Sequence, residues 1–133
     1  MREYARQQTA ILLQRLAVRL RDAARQPDET AIHDMRVAIR RLRCCLRVFA
    51  PLYADRSWKK IRRQLAALMT AAGAVRDCDI ALELMKQAGI SSRSALVASL
   101  KAERRKNEQE LRDEIAHWSH RGSLKRWRVG LEG

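Results

Sequence analysis

Apolar positions recur along the chain at the spacing of one face of a helix. In the first stretch Tyr4, Ile11, Leu12, Leu16, Leu20 and Ala23 fall three, four or seven residues apart. They predict a helix from about Glu3 to Gln26, with Arg6, Arg15, Arg19 and Arg25 outside the stripe and Pro27 as the stop. Asp28 is placed to cap a second helix, helped by Glu29 in its first turn, running to Phe49 or Ala50 before Pro51. Its apolar face is Met35, Ala38, Ile39, Leu42, Cys45, Leu46 and Phe49.

Trp58, Ile61, Leu65, Leu68, Met69 and Ala72 predict a third helix, which Gly73 is expected to end. Asp77 and Asp79 then suit the start of a short fourth helix reaching Gln87. Ser91 or Ser92 opens a fifth through about Trp118, with a polar middle from Glu103 to Asn107 that predicts thin packing there. Residues 124–129 (LKRWRV) form a last helical scrap without a placement. No segment alternates with strand period, and no repeat is visible. The expectation is an all-α antiparallel bundle of about five to six helices, one domain over residues 1–133.

Composition agrees. Only 5 Gly and 2 Pro occur in 133 residues, and 47% of the chain is hydrophobic, enough for a modest core. The balance of 28 Lys and Arg against 15 Asp and Glu adds something the periodicity does not: a net charge of +13. Self-repulsion of that size points to a polyanionic partner, whether nucleic acid, an anionic membrane surface or a phosphate polymer. No apolar run approaches the roughly 18 residues of a membrane span, and no signal peptide is evident. Cys44, Cys45 and Cys78 are odd in number, and two are adjacent, so they read as small core-filling residues of a reducing cytoplasm. They contain no C-x-x-C pair for zinc.

The cations are not spread evenly. Residues 31–63 hold ten Lys and Arg against two Asp, whereas residues 77–114 hold seven basic and eight acidic residues. At about 100° per residue, His33, Arg36, Arg40, Arg43 and Arg47 share an arc of about 80° on the second helix. The apolar face lies opposite. Like charges three and four residues apart destabilise a bare helix by a few tenths of a kcal/mol per pair, and Asp34, the one nearby acid, lies off the ladder. A solvated helical face usually mixes signs; this one does not. An anion with closely spaced charges would relieve the repulsion and accept bidentate hydrogen bonds from guanidinium.

Lys59, Lys60 and Arg63 lie away from the apolar side of the third helix, and Arg62 flanks that side. If the second and third helices pack antiparallel, their polar sides flank one groove. Arg76 either lines that groove or pairs with Asp77 or Asp79. His33 has no second His at i+3 or i+4 to share a metal, and His117 with His120 lacks a carboxylate cluster. Neither metal nor cofactor is expected. No nucleophile with its activator and no acid–base pair stands out, so the chain reads as a binding module and not an enzyme. The runner-up is nucleic-acid backbone binding, against which stands the absence of aromatics interleaved with the ladder as stacking platforms.

Residues 33–49, HDMRVAIRRLRCCLRVF, resemble the first landmark of the CHAD domain, the conserved-histidine α-helical domain. Residues 71–85, AAGAVRDCDIALELM, resemble its second, a Gly followed by Arg-Asp, one residue, Asp and an apolar run. The resemblance implies an all-helical fold with basic residues facing a pore or groove, and binding of inorganic polyphosphate in the cytoplasm or at polyphosphate granules. Carried onto this chain, the ligand-facing set is His33, Arg36, Arg40, Arg43 and Arg47, with Arg76 from the second landmark. The family fold implied has two related halves, each with a His-x-x-Arg helix. A second such helix does not follow here, so the chain is expected to be one half, and two copies could complete a groove as a homodimer.

Overall fold

A computed structural model describes residues 2–53 and 55–120 of the chain, and the side chains of all of these except 55–57 and 120. Four α-helices run α1 (Arg2–Arg25), α2 (Glu29–Val48), α3 (Asp55–Gln87) and α4 (Ala95–His120), with a short 3-10 turn at Ala50–Leu52 between α2 and α3. No strand occurs among the described residues. Each helix runs antiparallel to the one before it. Pairwise links fix this: Arg19 with Asp34 at 3.7 Å between α1 and α2, Arg76 with Glu29 at 2.8 Å between α2 and α3, and Arg104 with Asp79 at 2.6 Å between α3 and α4.

The core is the meeting of four apolar stripes. Leu13, Leu16, Leu20 and Ala23 of α1 pack with Ile32, Met35, Ile39, Leu42 and Leu46 of α2. Ile61, Leu65, Leu68, Ala72 and Val75 of α3, and Leu111, Ile115 and Trp118 of α4, complete it. The expected stripe of α1 is displaced at its start. Ala5, Thr9 and Leu13 are buried, whereas Tyr4 and Ile11 are exposed. Tyr4 instead sets its ring edge-on to Phe49 at the far end of α2. Thr9, the one buried polar residue among those described, donates from its hydroxyl to the Ala5 carbonyl at 2.8 Å and bonds the Tyr53 hydroxyl, tying the turn after α2 back onto α1.

The second helix begins as expected. The Asp28 carboxylate accepts from the Ala31 N–H at 2.8 Å, satisfying one of the free donors of the first turn. The helix count differs from expectation, because the third and fourth predicted helices are one. Gly73 lies inside α3 with helical φ, and Ile61, Leu65, Leu68, Ala72, Val75 and Cys78 hold the same buried side straight through it. A mid-helix glycine costs about 0.5–1 kcal/mol relative to alanine, less than burial of Val75 and Cys78 beyond it returns. The glycine that ends α3 is Gly89, with φ of 76°. Its N–H reaches the Lys86 carbonyl at 3.1 Å and the next N–H, from Ile90, reaches Met85 at 3.0 Å, a Schellman turn. α4 opens two or three residues later than expected, where the Ser94 hydroxyl accepts from the Val97 N–H at 3.1 Å. The helical scrap expected at residues 124–129 lies outside the described residues.

The polar middle of α4 is not thinly packed. The Arg104 guanidinium bonds Asp79, Glu108 and the Pro27 carbonyl, and Asn107 Nδ2 donates to the Ala74 carbonyl at 3.3 Å. Arg112 Nε donates to the Ala24 carbonyl at 2.9 Å. Polar contacts replace apolar ones at this seam. They explain how α4 holds its place with no fully buried apolar residue between Val97 and Leu111.

Candidate anion-binding face

The outer face of α2 carries the expected ladder. Its core side is buried through Ile32, Met35, Ile39, Leu42 and Leu46, and this fixes the rotation of the helix. His33, Arg40, Arg43 and Arg47 are therefore exposed, and Arg36 is half-buried. None of these arginines forms an ion pair among the described residues. The Nε of Arg36 is buried and makes no hydrogen bond there, although buried polar atoms are as a rule paired. Asp34 is turned away and engaged by Arg19. Among the described side chains, the repulsion inferred from the spacing is thus present and uncompensated.

The ladder does not open onto a single groove. Arg40, Arg43 and Arg47 line a hollow of about 360 Å³ with Cys44, and α3 contributes Trp58 and Arg62. The antiparallel packing of α2 and α3 brings the start of α3 beside the end of α2, and the turn at Ala50–Leu52 makes that return short. His33 belongs to a separate, larger hollow of about 590 Å³ between α1 and α2, together with Arg15, Arg19, Asp34 and Arg41 over a floor that includes Leu12 and Val37. Its cations are partly answered by protein acids, since Arg19 lies within 4 Å of both Asp22 and Asp34.

Of the α3 cations expected to flank the groove, Lys59, Lys60 and Arg63 are exposed and none lines either hollow. The residue that does is Arg62. It sits on the flank of the buried stripe, next to the seam with α2, where a long side chain reaches across; the three others point further around the helix. Arg76 is half-buried and pairs with neither Asp77 nor Asp79. Its Nη1 lies 2.8 Å from Glu29 at the start of α2, and Asp79 is held by Arg104. Trp58 is an addition that the pattern of α2 does not announce. The sequence of α2 has no aromatic among its arginines, but the fold brings one from α3 to the same hollow.

The cysteines divide by face. Cys78 is buried, and Cys45 is half-buried near Thr9, where burial pushes its thiol pKa above the ordinary value. Cys44 departs from the expected core role: it is exposed, lines the α2–α3 hollow, and has the Arg47 Nη2 4.0 Å from its sulfur. No group of three or more His, Cys, Asp or Glu among the described residues is arranged to hold a metal ion. No helix there is long and apolar enough to cross a membrane.

Among the described residues, these features define an antiparallel bundle of four helices with one strongly cationic face that no described acid pairs. The chain belongs to the CHAD domain family, whose family model matches residues 7–132, nearly its whole length. No match was found among curated proteins or among solved structures.

Proposed function

We propose that this protein is a non-catalytic module that binds inorganic polyphosphate across the α2–α3 face. One observation carries the reading: four arginines, Arg40, Arg43, Arg47 and Arg62, line one hollow, and no acid among the described side chains pairs with any of them. A flexible chain of phosphates with no bases and no fixed groove suits a row of long, mobile guanidinium groups, each able to take two oxygens. Membership of the CHAD family supports the same choice of ligand. Arg36 extends the row by one turn. His33, in the neighbouring hollow, and Lys59, Lys60 and Arg63, on the outer side of α3, contribute charge at the margin of the site. A cytoplasmic location, at polyphosphate granules, follows from the ligand and not from the fold.

The test is equilibrium binding of long-chain polyphosphate across a salt series. With five or six phosphates engaged, log K against log salt should fall with a slope of roughly −4, taking the single-strand coefficient. Arg40→Ala and Arg43→Ala should each weaken binding and flatten the slope by roughly 0.7 for every phosphate no longer engaged. Wild-type affinity in both variants would refute the assignment. If two copies complete one groove, the mass in solution should double on adding polyphosphate; a monomer under both conditions excludes that arrangement.

Trp58 supports a second reading, binding of a single-stranded nucleic acid backbone with one base stacked on the indole. Base–aromatic stacking is worth about 1–3 kcal/mol per base. Trp58→Ala should therefore weaken single-stranded DNA by about tenfold if stacking operates, and leave polyphosphate unchanged. In direct competition at roughly physiological ionic strength, polyphosphate should displace the DNA. The reverse order would favour the nucleic acid.

A further inference from the structure

The arc of α2 that carries the cations does not begin with a cation. Glu29, four residues before His33, falls within the same arc at about 100° per residue. Its carboxylate accepts from Arg76 Nη1 at 2.8 Å, and its side chain is 70% exposed against 36% for Arg76. Around it the sign of the surface changes. The capping Asp28 precedes it, and the exposed Asp77 follows Arg76 on α3. At the other end of the arc stand Arg43 and Arg47, with Arg62 of α3 beside them and no acid among the described side chains lining their hollow. The face is therefore polarised, acidic where α2 starts and cationic where it ends.

We propose that Glu29 is a resident competitor for the anion: its carboxylate occupies Arg76 and closes the amino-terminal end of the cationic row. Two consequences follow from Coulomb's law and simple competition. A bound polyanion runs from Arg36 toward Arg47 and Arg62 and stops short of Glu29. To engage Arg76 it must displace a carboxylate that is already 2.8 Å away. Because Glu29 is mostly exposed, its hold is weak enough to be displaced and strong enough to lower affinity, as for other solvent-exposed pairs. This inference rests on the polyanion-binding reading above and adds to it the position where binding ends and the residue that sets it.

Glu29→Gln tests it. The amide keeps the shape of the side chain, removes the negative charge and releases Arg76. Long-chain polyphosphate should bind about three- to fivefold more tightly, the range of an exposed ion pair, and the salt slope should steepen by roughly 0.7 as one more phosphate is engaged. Glu83→Gln is the comparison, since it makes the same change in net charge at an exposed position of α3 that lines neither hollow. It should leave both quantities near wild type. Thermal unfolding of both variants checks that the fold is intact. If the wild type binds polyphosphate and the two variants behave alike, Glu29 is only one acid among others and the inference is wrong. If the wild type does not bind polyphosphate at all, the earlier reading falls first and this one with it.

Discussion

Arginines do opposite work on the two sides of this molecule. On α4, Arg104 has 18% of its side chain exposed, sits between Asp79 and Glu108, and reaches the Pro27 carbonyl; Arg112 donates to Ala24. Each answers a partner on a neighbouring element and helps hold α4 against the rest of the bundle. On α2, Arg40, Arg43 and Arg47 answer nothing acidic in the described chain and face solvent. The same residue type is a fastener where acids are supplied at the seam, and a stored electrostatic load where they are withheld. Counting arginines cannot separate the two roles. Asking where each guanidinium finds its negative charge can.

The contrast is sharpest if one member of each set is removed. Arg104→Ala leaves two largely buried carboxylates, Asp79 and Glu108, facing each other without their cation. A loss of about 3 kcal/mol in folding stability is expected, measured by denaturant titration, with polyphosphate affinity of the folded protein retained. Stability unchanged within about 0.5 kcal/mol would mean that α4 is held by its apolar packing alone. The double variant Arg40→Ala, Arg43→Ala should do the reverse. Polyphosphate affinity falls by about 2 kcal/mol, roughly thirtyfold. Folding stability stays level or rises by a few tenths of a kcal/mol as like charges on one helical face are relieved. A parallel loss of stability would place these side chains among the fasteners and dissolve the comparison.

A smaller effect reads the same division within one helix. Cys44 and Cys45 are neighbours about 100° apart around the helix, the first exposed and the second half-buried. Burial raises the Cys45 pKa, so at neutral pH a smaller fraction of it is the reactive thiolate. Alkylation followed by peptide mass mapping should label Cys44 well before Cys45 or the buried Cys78. Polyphosphate should slow labelling of Cys44, which lines the hollow with Arg40, Arg43 and Arg47. Equal rates with and without polyphosphate would argue that the ligand lies elsewhere.

Much of this is legible in the order of residues, and what is not has physical causes. The rotation of α2 follows from its own pattern, because Met35, Ile39, Leu42 and Leu46 leave one orientation that buries them, and the ladder is then outward by default. Gly73 misleads about the length of α3. A glycine ends a helix when it takes positive φ and the buried stripe stops; at Gly73 the stripe continues in register to Cys78, and that continuation is the usable signal. The partners of Arg76 and Arg62 are beyond local reading, since Glu29 and the end of α2 approach them only through antiparallel packing. Local acids are offered to Arg76 and refused, because Asp79 turns toward α4. Arg62 carries one hint, its place beside the apolar stripe, where a long side chain is led toward the neighbouring helix.

The unbroken rise of α3 works as a measuring rod. Arg62 and Arg76 stand fourteen residues apart on it, about 21 Å at 1.5 Å per residue. A lone phosphate held at Arg62 is out of reach of Arg76, and an extended polymer lying along the rod reaches the second station only by displacing Glu29. On the reading proposed above, a polymer long enough to span the rod would gain a contact that a short one cannot, with no closed pocket or gate.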